Sequence, residues 1–281
     1  MRPAMALVCA AILVSTGSFA KRPQQVPDIA LRHHAPWQVQ IYSNFKGWTP
    51  AELKKWQPWE RAHHCGGSLI ADHWVLTAAH CVIQEQVDRD YRVRLGTENI
   101  SDDTGVTYHI DRIVRHAGYD ENSGVNDIEL VHFVADAETK RERPVRPIST
   151  IRLYGTKASD RAIGLGVPVT VTGWGQLTER QKEHYSPVLM YGDMPTVDCK
   201  VTPATDDWLC AGEKGTDSCK GDSGGPLILT YGEPVLVGIV SWGKGCGRAS
   251  EPGYYVRIDR NHYLDWIRRA MAAPPSVNSL G

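Results

Sequence analysis

Asp217-Ser218-Cys219-Lys220-Gly221-Asp222-Ser223-Gly224-Gly225-Pro226 sets one serine among three glycines. Glycines free of side-chain bulk let a hydroxyl and the neighbouring backbone amides face a bound molecule. Alone, such a run is usually a turn and nothing more. Two other segments change that reading. Thr77-Ala78-Ala79-His80-Cys81 supplies a histidine far upstream, and Asn126-Asp127-Ile128-Glu129-Leu130 supplies an acid between the two. A serine hydroxyl is a poor nucleophile at neutral pH. It needs a base titrating near pH 7 and an acid that fixes the base's tautomer, which histidine and a buried aspartate provide. A G-x-S-x-G esterase elbow is disfavoured, because Ser223 follows Gly221-Asp222 and precedes Gly224-Gly225-Pro226.

Length and composition agree with a secreted, turn-rich globular chain. With 281 residues and 42% hydrophobic content it can bury a sizeable core, and few aromatics with many glycines and prolines suit an all-β domain. Residues 1–20 read as a signal peptide: Arg2, an apolar core from about Ala4 to Val14, then Ser18-Phe19-Ala20 as a small-residue cleavage site. That core is too short for a membrane anchor, and Ala6-Leu7-Val8 before Cys9 fits a lipidation site poorly. Cleavage takes one basic residue, Arg2, from 31, leaving 30 against 32 acidic residues and a net charge of −2. No field of one sign favours nucleic acid. Six cysteines remain, Cys65, Cys81, Cys199, Cys210, Cys219 and Cys246. An even count behind a signal peptide argues for three disulfides in an oxidising compartment, although six cysteines allow fifteen pairings. No paired CxxC spacing supports zinc instead.

Short apolar runs between turn signals predict strands at Trp37–Tyr42, Gly67–Ile70, Trp74–Thr77, Tyr91–Leu95, Ile128–Val134, Pro168–Thr172, Pro226–Leu229, Val235–Trp242 and Gly253–Ile258. One helix is expected at the end, with Asn261 capping His262–Met271 and Tyr263, Ile267 and Trp266 toward the core. A polar stretch around Asp136–Pro147 reads as a crossover between two halves.

The three chemical segments, in the order His, Asp, Ser, strongly resemble the chymotrypsin-type (trypsin-like) serine endopeptidases over roughly residues 35 to 270. The resemblance implies an all-β fold of two packed six-stranded antiparallel β-barrels with a C-terminal helix. The expected organisation is residues 21–34 as an N-terminal segment or propeptide, 35–272 as the peptidase domain and 273–281 as a tail. It implies the disulfides Cys65–Cys81, Cys199–Cys210 and Cys219–Cys246. It also assigns roles. Ser223 attacks the scissile carbonyl, His80 carries the proton, and Asp127 orients His80. The amides of Gly221 and Ser223 form the oxyanion hole. Ser241 bonds the aspartate, and Ser241, Trp242 and Gly243 receive the substrate backbone. Asp217 floors the first specificity pocket between Gly243 and Gly253, so cleavage is expected after Arg or Lys. No cofactor or metal is needed, and a monomer acting on proteins or peptides, extracellular or periplasmic, is expected.

Several residues depart from the family pattern. Glu129 stands where a small or apolar residue is usual. No Arg-Ile-Val-Gly-Gly activation motif exists, so Asp222, which the family pairs with the freed α-amino group, lacks an evident cation. With Asp28 before it, Ile29 is the only aliphatic candidate for a new N-terminus with a preceding cut site of any kind. Its seven residues to Pro36 reach roughly 23–25 Å, against about 40 Å for the dozen the family uses. Lys21-Arg22 is followed by Pro23, which resists cleavage. An unpaired Asp222 sustains a rival reading, a catalytically weak or silent binding protein on a protease scaffold. Residues 44–64 form an unusually long loop with Trp48, Trp56, Trp59, Lys46, Lys54, Lys55 and Arg61, and a short helix at Pro50–Trp56. Its tryptophans are expected to pack on the barrel, with a substrate exosite as the alternative. The pairs His33-His34 and His63-His64 read as solvent-exposed rather than metal-binding. Thr97 and Val106-Thr107 replace the glutamates of trypsin's calcium loop, leaving only Asp102 and Asp103, and Pro252 replaces the tyrosine of sodium-regulated relatives.

Overall fold

Strands whose residues are buried on both faces need two surroundings, and closing a sheet on itself while packing it against a second sheet supplies both. The structure, a computed structural model, describes residues 35–274 except 45–46, 137–138, 140–143, 145, 158–159, 161, 178, 180–183, 201–205, 213–214, 230–232 and 249–250. The signal-peptide, Ile29 and His33-His34 readings, residues 275–281 of the tail, and much of the 136–147 crossover lie outside the described residues.

The first barrel comprises β1 (Gln38–Ser43), β2 (His63–Ala71), β3 (Trp74–Thr77), β4 (Tyr91–Leu95), β5 (Val106–Arg115) and β6 (Glu129–Val134). These close in the order β1-β2-β3-β6-β5-β4, every pairing antiparallel. Val39, Ile41, Val75, Val93, Ile110 and Leu130 are fully buried within it.

The two-residue β7 (Arg152–Leu153) precedes the second barrel, formed by β8 (Pro168–Gly173), β9 (Met190–Val197), β10 (Trp208–Ala211), β11 (Pro226–Leu229), β12 (Val235–Gly243) and β13 (Gly253–Arg257). They run β11-β8-β9-β10-β13-β12, and β12 pairs back to β11 to close the ring. β12 is long enough to take β7 as a parallel neighbour at Val235–Leu236, before β13 begins pairing at Gly238.

The predicted strands are present with ends shifted by a few residues, as hydrogen-bonded boundaries often are. β5, β7, β9 and β10 were not expected. β5 interleaves charged residues with its apolar ones, and β9 carries Gly192, Asp193 and Pro195, all poor strand signals. The final helix is α4 (Asn261–Ala272) in a series of α1 (Pro50–Lys55), α2 (Pro58–Ala62) and α3 (Gln84–Asp88). Asn261 does not cap α4: it is the first helical residue, and Arg260 stands at the cap without a side-chain bond. Tyr263, Leu264, Ile267 and Ala270 bury one face, and the Tyr263 hydroxyl donates to Asn126 Oδ1 at 3.0 Å, fastening the helix beside Asp127.

The barrels meet where β2 faces the 217–226 run. The Gly66 N–H donates to the Ser223 carbonyl at 2.7 Å. A Cβ on Gly66 would lie 2.9 Å from the Gly225 Cα and 3.2 Å from its nitrogen, both backbone atoms that cannot rotate away. Gly66→Ala is therefore expected to lose about 1–3 kcal/mol of stability by overpacking this seam. Urea denaturation of the variant against the parent checks it; an unchanged midpoint would show that the seam yields without cost.

Candidate active site

Three residues after β3, His80 leaves the first barrel and meets Asp127, which precedes β6. The His80 Nδ1 lies 2.8 Å from Asp127 Oδ2, and the His80 backbone N–H donates to Asp127 Oδ1 at 2.9 Å. Ser241 donates its hydroxyl to the same Oδ2 at 2.5 Å. Asp127 is 1% exposed. Burial pushes its carboxyl upward, but the bonds from His80 and Ser241 outweigh this and hold it below the usual carboxylate range. A permanently ionised Asp127 accepts from Nδ1–H and leaves Nε2 of His80, a third exposed, as the basic nitrogen.

The serine loop is pressed against the end of β3 that leads into His80. Gly224, with φ of +76°, is in the left-handed region, and a Cβ there would sit 2.1 Å from Thr77 Oγ1 and 2.6 Å from the Gly66 carbonyl. Only glycine allows that approach. Ser223 shares a cleft of about 770 Å³ with Ser241, Trp242, Gly243, Tyr185, Arg61 and Trp56.

Peptide planarity decides where the loop's amides point. The Lys220 carbonyl accepts from Gln176 N–H at 2.9 Å, and the Asp222 carbonyl accepts from Gly225 N–H at 2.9 Å. In a trans peptide the N–H points opposite to the carbonyl. Both anchors therefore turn the following N–H groups, those of Gly221 and Ser223, away from the loop's interior. Neither donates to any acceptor among the described residues. Two unpaired N–H groups turned outward beside a serine can stabilise an oxyanion.

His63, expected at the surface, is instead buried, with Nε2 2.9 Å from the Gly221 carbonyl. Burial pushes its imidazole down to about 4, so it is neutral and donates from Nε2. The Tyr185 ring packs edge-on against it at 5.2 Å between centroids. Gln176, His63 and Tyr185 thus shape the loop, and no local motif announced them.

Asp222 is buried. Its Oδ1 accepts from Gly175 N–H at 2.8 Å and its Oδ2 from Cys219 N–H at 2.9 Å, with no ion pair among the described residues. Burial dominates and raises the carboxyl to about 6. Among the described residues these two N–H groups are its hydrogen-bond partners, while the N-terminal candidates for a cation lie outside them.

Asp217 lies deep beside Gly243 and Gly253. A Cβ on Gly253 would fall 2.2 Å from Asp217 Oδ1, and one on Gly243 3.8 Å from Oδ2. The Tyr255 hydroxyl, not anticipated, lies 3.3 Å from Asp217 Oδ1 and 3.2 Å from Ser218 Oγ. Burial raises the Asp217 carboxyl to about 7. On the cleft's other wall, Trp242 stacks on Tyr254 at 3.8 Å, and beyond Ile239 strand β11 no longer pairs with β12. The edge of Ser241–Gly243 is left open to an added strand.

The disulfides are Cys65–Cys81, Cys199–Cys210 and Cys219–Cys246. The first lies beside His80, and its sulfurs, being bonded to each other, are not thiolate ligands for a metal. In the 44–64 loop, Trp59 packs toward Trp174, Ile100 and Leu189, as the packing reading required. Trp56 and Arg61 instead border the Ser223 cleft, and Trp48 and Trp59 line a second groove of about 760 Å³ with Tyr42, Arg92 and Arg94.

A family model described as Trypsin matches residues 28–267. The chain is 37% identical over 221 residues to cationic trypsin-3 of Rattus norvegicus, covering 75% of this chain and 81% of that protein. It is 35% identical over 251 residues to trypsin-4 of the same organism, covering 86% and 87%. Among solved structures it superposes on neuropsin, a serine protease expressed in the limbic system of mouse brain, with a TM-score of 0.66 at 28% identity, covering 85% of this chain and 96% of that one.

Replacing Asp222 with Asn leaves one acceptor for two buried N–H groups and sets an NH₂ against the other. The loop amides should then lose their aim, lowering kcat about a hundred- to a thousandfold, the scale of losing an oxyanion donor. Steady-state kinetics on material with parental circular dichroism provides the check, and near-parental kcat would refute the anchoring role.

Proposed function

Since the chain belongs to the trypsin family of serine proteases, we propose that it is a secreted endopeptidase that hydrolyses protein or peptide bonds after Arg or Lys through an acyl-enzyme. In this reading Ser223 Oγ attacks the carbonyl carbon while His80 Nε2 takes the hydroxyl proton. The negative charge developing on the carbonyl oxygen is held by the Gly221 and Ser223 N–H groups. His80 returns its proton to the departing amine, then takes one from water as the acyl bond is hydrolysed, regenerating Ser223. Asp127, fixed by Ser241, stabilises the imidazolium in both halves. The observation that carries this reading is the pair of unpaired loop N–H groups beside the Asp127–His80 hydrogen bond. A silent scaffold has no need of them, so the binding-protein alternative is set aside. Secretion is supported by residues 1–20 and three disulfides. No helix among the described residues is long and apolar enough to cross a membrane. The chain would act as a monomer, without cofactor or metal, and the groove beside Trp48 and Trp59 would serve as an exosite for protein substrates.

A serine-directed phosphonate should label the folded protein at Ser223 and leave Ser223→Ala unmodified. Folded wild-type protein that resists labelling would remove the peptidase reading, and N-terminal sequencing of the same sample would identify the processed start.

Specificity rests on Asp217. Asp217→Ser should lower kcat/KM for Arg amides by about thirty- to several-thousandfold, the cost of removing one partner of a buried charge pair. With its carboxyl raised to about 7, Asp217 is charged above that pH and neutral below it. KM for Arg amides in the wild type should therefore rise roughly tenfold one pH unit below 7, a dependence that Asp217→Ser lacks. Faster turnover of Phe or Leu substrates than of Arg substrates would show the assignment to be wrong.

A further inference from the structure

Two residues beyond Asp127, at the start of β6, stands a carboxylate that the chemistry above leaves unused. Glu129 is fully buried and lies opposite Arg115 on β5 and Thr77 on β3. Its Oε2 accepts from Arg115 Nε at 3.0 Å, while Oε1 has no hydrogen-bond partner. The same guanidinium reaches further: Arg115 Nη2 donates to the Val82 carbonyl at 2.7 Å, two residues past His80. Its outer face lies 5.6 Å from the Tyr119 ring centroid. One guanidinium therefore bridges the strand that follows Asp127 and the loop that carries His80. Stability gives little reason for this arrangement, because an apolar side chain of similar volume often fills such a site at no loss.

Resting on the peptidase reading, we propose that Arg115 and Glu129 form a positioning pair for the His80–Asp127 dyad, tethering the histidine loop and tuning by their charge how firmly His80 holds a proton. The charged groups facing Glu129 are Arg115 from β5 and Asp127 on its own chain segment. Thr77 on β3 is uncharged, and the neighbouring Tyr119 phenol, raised to about 12 mainly by burial, stays neutral over the working range. Beyond Asp127 come His80 and Ser241. Burial raises the Glu129 carboxyl to about 8 against the pull of Arg115, with Asp127 adding to the rise. Below that pH Glu129 is neutral and the Arg115 cation is uncompensated, which disfavours a proton on His80. Above it the new anion favours that proton, so His80 becomes the stronger base as pH rises through about 8.

The ring ¹⁵N shifts of His80, followed against pH in the resting protein, should show a second inflection near 8 in the wild type. Glu129→Gln should lack it, since the amide still accepts from Arg115 but cannot ionise. Arg115→Met should move it to higher pH, because the carboxylate loses its cation. The same variant should lower kcat by about tenfold or more while KM stays within twofold, as a displaced base affects turnover rather than binding. Should Arg115→Met fail to fold, Arg115→Lys, which keeps the charge but cannot span both acceptors, carries the kcat comparison. A wild type without the second inflection, a second inflection that survives in Glu129→Gln, or parental kcat in the arginine variant would each overturn the proposal. The shifts need no turnover, so a wild type inert to phosphonate would remove the peptidase reading and still leave this pair tested.

Discussion

The rest of the site depends on two backbones meeting with no room for a side chain between them. At Gly224 the serine loop of the second barrel touches Thr77 and the Gly66 carbonyl of the first, and the Gly66 N–H closes the contact through the Ser223 carbonyl. Thr77 stands three residues before His80, so the contact also sets the histidine loop beside the serine. Neither barrel holds the site alone. The first contributes the His80–Asp127 pair, the second the Ser223 hydroxyl and two amides, and their relative placement is decided at this seam. Ser241 adds a second tie across it, reaching from β12 to Asp127.

Within this frame three buried carboxyls and the half-buried Asp217 behave differently because their partners differ. Asp127 receives bonds from a histidine ring, a hydroxyl and an N–H, enough to outweigh burial and keep it ionised. Asp222 receives two N–H bonds, Asp217 bonds from hydroxyls and an N–H, and Glu129 one guanidinium; in each of these burial wins and the carboxyl rises. Desolvation acts on all four in the same direction, and only at Asp127 do the neighbouring donors outweigh it. A charge that must persist is held by donors strong enough to offset burial, as at Asp127, whereas the hydroxyl and amide donors around Asp217 are not.

Much of this was legible in the chain. The residues proposed to act through their own side chains, His80, Asp127, Ser223 and Asp217, stand in recognisable local runs, and strands rich in β-branched or aromatic residues declared themselves. What was not legible acts across the fold. Gln176 contributes only a backbone N–H to Lys220, His63 lies 158 positions before the carbonyl it holds, and Tyr255 reaches Asp217 from β13. No spacing rule connects such pairs. β9, interrupted by Gly192 and Pro195, was hidden for the opposite reason. Its pairing with β8 over six register positions overrides weak local preference.

Asp222 separates two requirements that sequence reading had joined. The absent activation motif raised the question of which cation would neutralise it, as though the loop's shape depended on that charge. Its two carboxylate oxygens are instead each taken by a backbone N–H, from Gly175 and Cys219, and these bonds hold the loop together with those that anchor the Lys220 and Asp222 carbonyls. Hydrogen bonds satisfy the geometry, while the raised carboxyl shows that the charge is left in deficit. A cation approaching Asp222 would thus act on a loop already shaped by amides. It would stabilise the ionised form above pH 6, where holding an unpaired buried charge costs most, and would leave the direction of the Gly221 and Ser223 N–H groups to the peptide planes that already fix them.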